Sequence, residues 1–284
     1  MCVQLWVNKQ RIPAGLAGGG RQDRARAGRT ALRGLGSIKT SIRILAWNIL
    51  QGGGPRTAQI LETIGGHVPD ILVLSEYCYG PGGVALEQQL ELAGYTYRSV
   101  CARGPNHDGI TVLVASKIAF TPEYFEGQIV HPKHGDFSHR LVRARFPGFD
   151  VVGAYFPLCG GKQAVFDQIW ARSPDFLFRP TLLIGDINTA LSPDDAQGVA
   201  PLPGEERLTE LLAAGWIDAW RSRNATAREF TWFSRQAENG FRIDQALASP
   251  SFDRGITAIR YSHRERTERI SDHSALIVDL AMPL

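Results

Sequence analysis

The sequence predicts an α/β fold in which helices lie outside a mixed β-sheet, or outside two sheets. Two observations support this prediction. Residues 42–74 have the pattern of a strand, a helix and a second strand in succession. The apolar runs at 141–146 and 151–156, by contrast, follow each other with no helix between them. Because parallel neighbours need a long crossover connection, this arrangement fits a mixed sheet better than a doubly wound parallel one.

The individual elements follow from the apolar runs and their interruptions. The first strand is predicted at 42–47, where only Arg43 breaks the apolar run, and the Gly-rich loop 51–55 follows it. A helix is predicted at 57–65 from its apolar spacing, and Pro69 precedes the next strand. Further strands are predicted at 71–74, 109–115, 141–146, 151–156, 181–184, 245–248, 256–261 and 275–280, and further helices at 165–170 and 208–214.

Composition predicts an ordinary soluble protein. The chain has 284 residues, of which 44% are hydrophobic and 21% are charged. No apolar stretch approaches the roughly 20 residues of a membrane helix, so we expect no membrane partner. The four cysteines form no CxxC pair, which favours the reduced thiols of a cytoplasmic protein. We expect that protein to be monomeric.

The positive charge of the chain is unevenly distributed. Residues 1–40 carry eight Lys or Arg and one acid, Asp23, and are rich in Gly. We expect this segment to be a disordered basic extension, although a weak nucleic-acid tether is an alternative. Residues 41–284 are then expected to form the folded domain. Within it, residues 220–270 hold ten Arg and six acids, which favours a local surface for an anionic ligand.

Five short polar motifs lie at the ends of apolar runs. If strand ends meet at one edge of a sheet, these motifs supply amide, carboxylate and imidazole groups to a single place. Oxygen ligands of this kind suit Mg²⁺ or Mn²⁺, and magnesium in such a site most often handles phosphate. The motifs are WN at 47–48, SE at 75–76, GDIN at 185–188, RID at 242–244 and SDH at 271–273.

The GDIN motif follows the apolar strand predicted at 181–184. The spacing of Asp186 and Asn188 would direct both side chains to one side of an extended segment. Together they could hold a water molecule that the carboxylate orients or deprotonates. The alternative is an ordinary turn, since Gly, Asp and Asn are common turn residues.

The RID and SDH motifs bring a second carboxylate and a histidine. Asp244 could pair with His273 and favour its protonated form, and that imidazolium could then donate to a phosphate oxygen. The alternatives are an ion pair at a strand edge and a loop histidine. Three further strand-end residues have open assignments: Glu76 as a metal ligand, Asn48 as a weaker candidate, and Tyr155 as either a phosphate contact or a packing residue.

Taken in order, the motifs resemble the endonuclease/exonuclease/phosphatase superfamily, and most closely its exonuclease III class of abasic-site endonucleases. The resemblance covers roughly residues 42–280. It implies a four-layered α/β sandwich, in which two mixed sheets pack face to face with helices outside. The matching segments are IRILAWNIL, DILVLSE, GAYFP, LLIGDIN, PGEERLTELL, FTWFS, FRIDQALAS and SDHSALIVDL.

The resemblance also implies metal ligands. Glu76 would be the principal ligand of Mg²⁺ (or Mn²⁺), helped by Asn48 and Asp272. The catalytic domain would be residues 41–284.

By the same resemblance, Asp186 and Asn188 would position and activate the attacking water. His273, oriented by Asp244, would bind the scissile phosphate, and Tyr155 would stabilise the phosphate oxygens. The implied reaction is in-line hydrolysis of a phosphoester.

The substrate remains more open than the chemistry. Trp232 and Phe233 could wedge into a duplex or stack on a flipped nucleotide, with Arg242 as a further substrate contact. The alternative is that these aromatic residues belong to the core. The sequence therefore predicts a nuclease acting on DNA, with abasic-site repair as a candidate role. Two alternatives are a phosphodiesterase or phosphatase on a small or lipid phosphoester, and a silent binding module.

Overall fold

The structure is a computed structural model that describes residues 41–52, 54–101, 110–158, 160–198 and 201–281. The basic extension predicted at residues 1–40 lies outside the described residues. Cys78 and Cys101, the cysteines within them, form no disulfide bond with each other.

The described residues form sixteen strands and six α-helices. The strands are β1 (Ser41–Asn48), β2 (Ile71–Cys78), β3 (Tyr97–Val100), β4 (Ile110–Ser116), β5 (Thr121–Tyr124), β6 (Val130–His131), β7 (Gly135–Asp136), β8 (Leu141–Arg145), β9 (Asp150–Tyr155), β10 (Thr181–Asp186), β11 (Ile217–Asp218), β12 (Trp232–Phe233), β13 (Gly240–Phe241), β14 (Asp244–Ala248), β15 (Ile256–Ser262) and β16 (Ala275–Ala281). The helices are α1 (Thr57–His67), α2 (Pro81–Leu92), α3 (Lys162–Phe178), α4 (Glu205–Ala213), α5 (Pro250–Asp253) and α6 (Arg264–Thr267).

Two six-stranded mixed sheets carry the fold. The first has the order β15-β16-β1-β2-β4-β3, and the second has the order β11-β14-β10-β9-β8-β5. Each sheet contains one parallel pair, β1 with β2 in the first and β9 with β10 in the second, while the other neighbours are antiparallel. The prediction of mixed sheets is confirmed.

Helices cover the outer face of each sheet, and a hydrophobic core lies between the sheets. In β1 the alternation is direct: Ile44 and Ala46 enter the central core, whereas Leu45 and Trp47 pack on the outer side among residues of α1 and α2. Residues of α3 and α4 pack in the same way on the second sheet. The strands are therefore apolar on both faces, and the four-layered sandwich is confirmed.

Helix α2 and strands β3 and β5 were not predicted. The start of α2 combines Pro81 with Gly82 and Gly83, a composition typical of a loop. Pro81 is nevertheless tolerated at the first helical position, and Leu86 and Leu90 are fully buried against the first sheet. Tertiary packing of this helix therefore overrides its poor local propensity.

Candidate active site

The strand register brings the predicted motifs to one edge of the molecule. Asn48 at the end of β1 is opposite Ser75 of β2, and Asp186 at the end of β10 is opposite Tyr155 of β9. The two parallel pairs thus end at the site. Asp244 is the β14 partner of Asp186, so an antiparallel strand begins at the same edge.

Glu76 leaves its strand at a bulge. The β2–β4 register shifts between Ser75 and Tyr77, and Glu76 has a φ of 55°. A positive φ is uncommon for a residue with a side chain, and such positions cluster at functional sites. The half-buried Glu76 carboxylate accepts hydrogen bonds from the Asn48 amide, the Tyr155 hydroxyl and the Gln51 backbone N–H, at 3.0, 3.2 and 3.0 Å.

The GDIN segment is shaped by its glycine. Gly185 has a φ of 143°, and a Cβ there would lie 2.1 Å from the carbonyl oxygen of Ala154, so no larger residue fits. Past it, the Asp186 carboxylate accepts the backbone N–H of Asn188 at 2.9 Å, and Asn188 has a φ of 50°. The Asn188 amide also donates to the carbonyl of Phe156 at 2.8 Å. Asp186 and Asn188 are therefore held together by a turn rather than by the extended segment that their spacing predicted.

Asn48 connects the two carboxylates. Its amide nitrogen lies 3.0 Å from Glu76 Oε1 and 2.9 Å from Asp186 Oδ2, and its oxygen accepts the backbone N–H of Leu50 at 2.9 Å. This orientation differs from the one expected of a metal ligand, because an amide nitrogen does not bind a hard cation. In this arrangement Asn48 fixes the carboxylates, and its oxygen is directed to the backbone.

Asp244 and His273 form a buried pair beside Asp186. His273 Nδ1 lies 2.9 Å from Asp244 Oδ2, which leaves Nε2 directed into the site, 3.9 Å from Asp186 Oδ2. The backbone N–H of His273 donates to Ser271 Oγ, and Ser271 in turn donates to the carbonyl of Asn48 at 2.6 Å. The loop that carries His273 is therefore tied to the end of β1.

Burial and mutual charge shift the pKa values of this cluster. Burial raises the pKa of Asp186 to about 7, an effect that His273 opposes. For His273, burial alone would lower the pKa, but the carboxylates of Asp244 and Asp186 outweigh burial and raise it to about 10. At neutral pH the imidazole is therefore positively charged, and Asp186 is poised near its protonation midpoint.

Tyr155 lies at the same edge as Glu76. The guanidinium carbon of Arg140 lies 4.5 Å from the centre of the Tyr155 ring, and the Tyr155 hydroxyl donates to Glu76. Burial and the nearby carboxylates of Glu76 and Asp186 raise the pKa of Tyr155, so its phenol remains a proton donor.

A divalent cation fits the oxygen-rich side of the site. Asp272 Oδ1 is buried and has no hydrogen-bond partner among the described residues, while its Oδ2 accepts from Trp232 Nε1 at 3.2 Å. An unpartnered buried carboxylate oxygen is costly unless a cation or a water compensates it. Asp186, Asp244 and His273 also form a buried group with ligand atoms within 4.8 Å of one another. Since Asp244 already binds His273, we consider that group better suited to proton transfer than to metal binding.

Thr231 is a site residue that the sequence analysis missed. Its hydroxyl accepts the backbone N–H groups of Ile243 and Asp244 at 3.1 and 3.2 Å, and its carbonyl accepts from Ser274 at 2.9 Å. It therefore joins the start of β14 to the histidine loop. Its position in the FTWFS segment was the only available signal.

Replacing Thr231 with valine is expected to lower the free energy of unfolding by about 1–3 kcal/mol, because two buried backbone donors lose their acceptor while the side-chain shape is kept. Urea denaturation measures the change. Thr96→Val, at an exposed threonine, is the matched control. Equal stability of the two variants would contradict this role for Thr231.

The prediction of Arg242 as a substrate contact does not agree with the structure. Arg242 is fully buried and pairs with Asp195 and Asp218, each at 2.5 Å. Its guanidinium is thus occupied by two carboxylates and faces no solvent. The other two predicted substrate residues are half-buried: the ring of Trp232 lies 6.4 Å from that of His273, and Phe233 lies beside Arg266.

Comparison with known proteins agrees with this fold. The sequence pattern of the Endonuclease/Exonuclease/phosphatase family matches residues 45–273. Three solved structures are each 20% identical over 84% of this chain. A 3′ phosphatase from Neisseria bound to a product DNA hairpin has a TM-score of 0.69 over 99% of its chain. An AP endonuclease from Archaeoglobus fulgidus has 0.67 over 98%, and a 3′-5′ exonuclease from Neisseria meningitidis has 0.70 over 100%. A search of curated proteins found no match.

Together, the two mixed sheets and the polar edge define a phosphoester-processing α/β sandwich. The chain belongs to the endonuclease/exonuclease/phosphatase family. Its members are hydrolases of phosphoester bonds and generally depend on a divalent metal. The solved structures, at their low identity, show a shared fold. Among the described residues, no helix has the length and apolarity needed to cross a membrane.

Proposed function

We propose that the protein is a metal-dependent phosphodiesterase that cleaves DNA, as a nuclease of the exonuclease III type. The proposal depends on one observation above all: a chain of contacts of 3.9 Å or less joins four residues from different segments at a single edge, in the order Glu76, Asn48, Asp186 and His273. Phosphoester hydrolysis needs a cation site, a base and a proton donor, and this edge supplies candidates for each.

Asp186 is the proposed base. Its Oδ1 is held by the N–H of Asn188 and its Oδ2 by the amide of Asn48, so the carboxylate is fixed in direction. A pKa of about 7 allows it to accept a proton from the attacking water near neutral pH. Asn188, next to it, is proposed to help position that water.

His273 is the proposed contact to the scissile phosphate. Asp244 accepts Nδ1–H, so the Nε2–H of the imidazolium, 3.9 Å from Asp186 Oδ2, is directed into the site and is proposed to donate to a non-bridging oxygen. Tyr155, whose hydroxyl stays protonated, offers a second donor close by. Both donors act on the negative charge that develops in the transition state.

Glu76 and Asp272 are the residues proposed to hold the cation. A bound divalent ion would supply Lewis-acid neutralisation of the phosphate charge. Asn48 and Gln51 keep the Glu76 carboxylate in place. Oxygen-only ligands favour Mg²⁺ or Mn²⁺ over a softer metal.

DNA is preferred as the substrate because aromatic residues adjoin the site. Trp232 donates to Asp272 and lies near His273, and half-buried Phe233 follows it. Flat side chains at this position suit stacking on a base or insertion into a duplex. The names of the solved structures, a DNA-bound 3′ phosphatase and an AP endonuclease, support the same substrate class.

A substrate panel tests the proposal. The purified protein is incubated with abasic-site duplex, plain duplex, single strands and bis(p-nitrophenyl) phosphate, with Mg²⁺, Mn²⁺ or EDTA. We expect cleavage of DNA with a divalent ion, loss of that cleavage in EDTA, and recovery when Mg²⁺ is restored in excess. Undiminished cleavage in EDTA would contradict the metal role. A small phosphoester as the best substrate would instead identify a phosphodiesterase or phosphatase of small molecules.

A further inference from the structure

A shallow depression of about 270 Å³ lies beside the candidate active site. Two of its residues, Ser271 and Asp272, belong to the loop that carries His273, so the depression is continuous with the site. We call it the Arg266 depression. Its lining residues are Leu50, Phe233, Arg266, Arg269, Ser271 and Asp272.

Hydrogen bonds of Arg56 fix the shape of the depression. Arg56 donates to the carbonyl of Ile270 at 2.5 Å, to that of Ile49 at 3.3 Å, and to that of Leu50. The half-buried guanidinium of Arg56 thus ties the segment after β1 to the loop before His273. The walls are therefore fixed relative to the catalytic groups.

Arg266 is oriented but has no acidic partner. Its guanidinium lies 4.5 Å from the centre of the Phe233 ring, and its Nε contacts Ser274 Oγ at 3.4 Å. Among the described residues, no carboxylate lies within 4.0 Å of it, and its Nη atoms make no hydrogen bond. Stacking on an aromatic face preorganises the planar donor fork for an anion.

Neighbouring arginines differ in this respect. Arg264 pairs with Glu268 at 2.9 Å, Arg223 with Asp253 at 2.6 Å and Arg260 with Asp279 at 2.8 Å. Exposed Arg269, in contrast, lines the depression beside Arg266 with no ion pair in the described part of the chain. Two arginines that have no carboxylate partner within the described part of the chain thus line one depression.

Partial burial lowers the pKa of Arg266, an effect that the more distant Glu229 only opposes. The charged guanidinium is therefore incompletely solvated where it stands, and an anion in the depression would compensate it. The one carboxylate in the lining, Asp272, accepts from Trp232 and is the residue proposed above to meet a cation.

We propose that the Arg266 depression binds the phosphate next to the scissile one on a polynucleotide strand, through the guanidinium groups of Arg266 and Arg269. This inference rests on the proposed function and deepens it. It makes the substrate a nucleic-acid strand, because a small phosphoester has no second phosphate at that position. Phosphate contacts of this kind position a strand without reading its sequence.

Binding of fluorescein-labelled single-stranded DNA in EDTA, followed by anisotropy, tests the subsite without cleavage. Arg266→Gln is expected to raise Kd about tenfold and to reduce the slope of log K against log salt by about 0.7, the value of one lost phosphate contact. Arg269→Gln, at an exposed side chain, should also raise Kd and reduce the salt slope. Arg254→Gln is the matched control, since Arg254 is exposed and follows the opposite end of β14.

Strands with one neutral methylphosphonate linkage locate the contact. At the linkage next to the cleaved bond, the neutral group should slow cleavage by the wild-type protein. It should have a smaller effect on Arg266→Gln, which keeps Arg269, and no added effect on the double variant Arg266→Gln/Arg269→Gln. Hydrolysis of bis(p-nitrophenyl) phosphate should be the same in all three proteins.

The outcomes separate the two proposals. One outcome is that the wild-type protein cleaves DNA while Arg266→Gln and Arg269→Gln bind single-stranded DNA with the same Kd as Arg254→Gln. In that case only the phosphate subsite is overturned. If the wild-type protein hydrolyses none of the phosphoesters, the proposed function itself fails.

Discussion

Replacing Glu76 with glutamine is expected to lower the rate of phosphoester hydrolysis by about 10²–10³-fold. Glutamine keeps the size of the side chain and can still meet the N–H of Gln51. It removes the negative charge proposed to hold the cation, and its NH₂ group cannot accept the hydrogen bonds from Asn48 and Tyr155. The initial rate is measured across a range of Mg²⁺ concentrations. These measurements give both the loss of rate and the weaker binding of Mg²⁺, which is seen as a higher Mg²⁺ concentration at half-maximal rate.

Glu62→Gln provides the control for Glu76→Gln. Glu62 is exposed on α1, so the same chemical change away from the site should leave the rate unchanged. Circular dichroism and urea denaturation verify that both variants remain folded. A folded Glu76→Gln protein with the full rate would remove Glu76 from the mechanism.

Replacing Asp244 with asparagine is expected to reduce the rate by about 10²-fold and to change its pH dependence. Asp244 accepts the His273 Nδ1–H at 2.9 Å, and the pKa of His273 is raised to about 10 because the carboxylates of Asp244 and Asp186 outweigh burial. Without the Asp244 charge this pKa falls. Activity that needs the imidazolium should therefore decline at a lower pH in the variant than in the wild-type protein.

The rate measured from pH 6 to pH 11 tests this shift. Asp194→Asn, at an exposed aspartate, serves as the matched change. The alkaline limb should move toward acid only in Asp244→Asn. An unchanged alkaline limb with a reduced rate would mean that Asp244 supports the loop without controlling the protonation of His273.

The edge at which the site forms could be predicted from the sequence. The apolar runs that contain Trp47 and Ile184 give way within two residues to Asn48 and Asp186, and this boundary locates the ends of β1 and β10, whereas β2 continues past Leu74 to Cys78. Strands of this type bury both faces, so their apolar pattern is strong and their ends are sharp. The mixed sheets followed from the same runs.

The backbone around Glu76 could not be predicted. Its bulge exists because β2 and β4 shift register between Ser75 and Tyr77, and β4 lies far along the chain. Local sequence carries no record of that shift. Helix α2 was missed for a related reason. Gly82 and Gly83 lower its local helix propensity, and the helix is stabilised by packing of its apolar face on the first sheet.

The sequence was least informative about which arginine side chains pair with carboxylates. Arg242 and Arg266 both lie in a basic region, and by pattern either could contact a phosphate. Arg242 is instead buried with Asp195 and Asp218, which lie 47 and 24 residues away. Arg266 stacks on Phe233, and no carboxylate of the residues that the structure describes lies within 4.0 Å of it. The ion-pair partner of an arginine is determined by the residues that lie close to it in space, and not by those next to it in the sequence.

By itself, the sequence determined which chemical groups are present and that they follow strand ends, because hydrophobic periodicity is a local property. Only the tertiary structure decided how those groups face one another. The Asn48 amide meets Asp186 across 138 residues, and His273 Nδ1 meets Asp244 across 29. Such contacts depend on sheet register and on the packing of two sheets, which are long-range properties that no short pattern encodes.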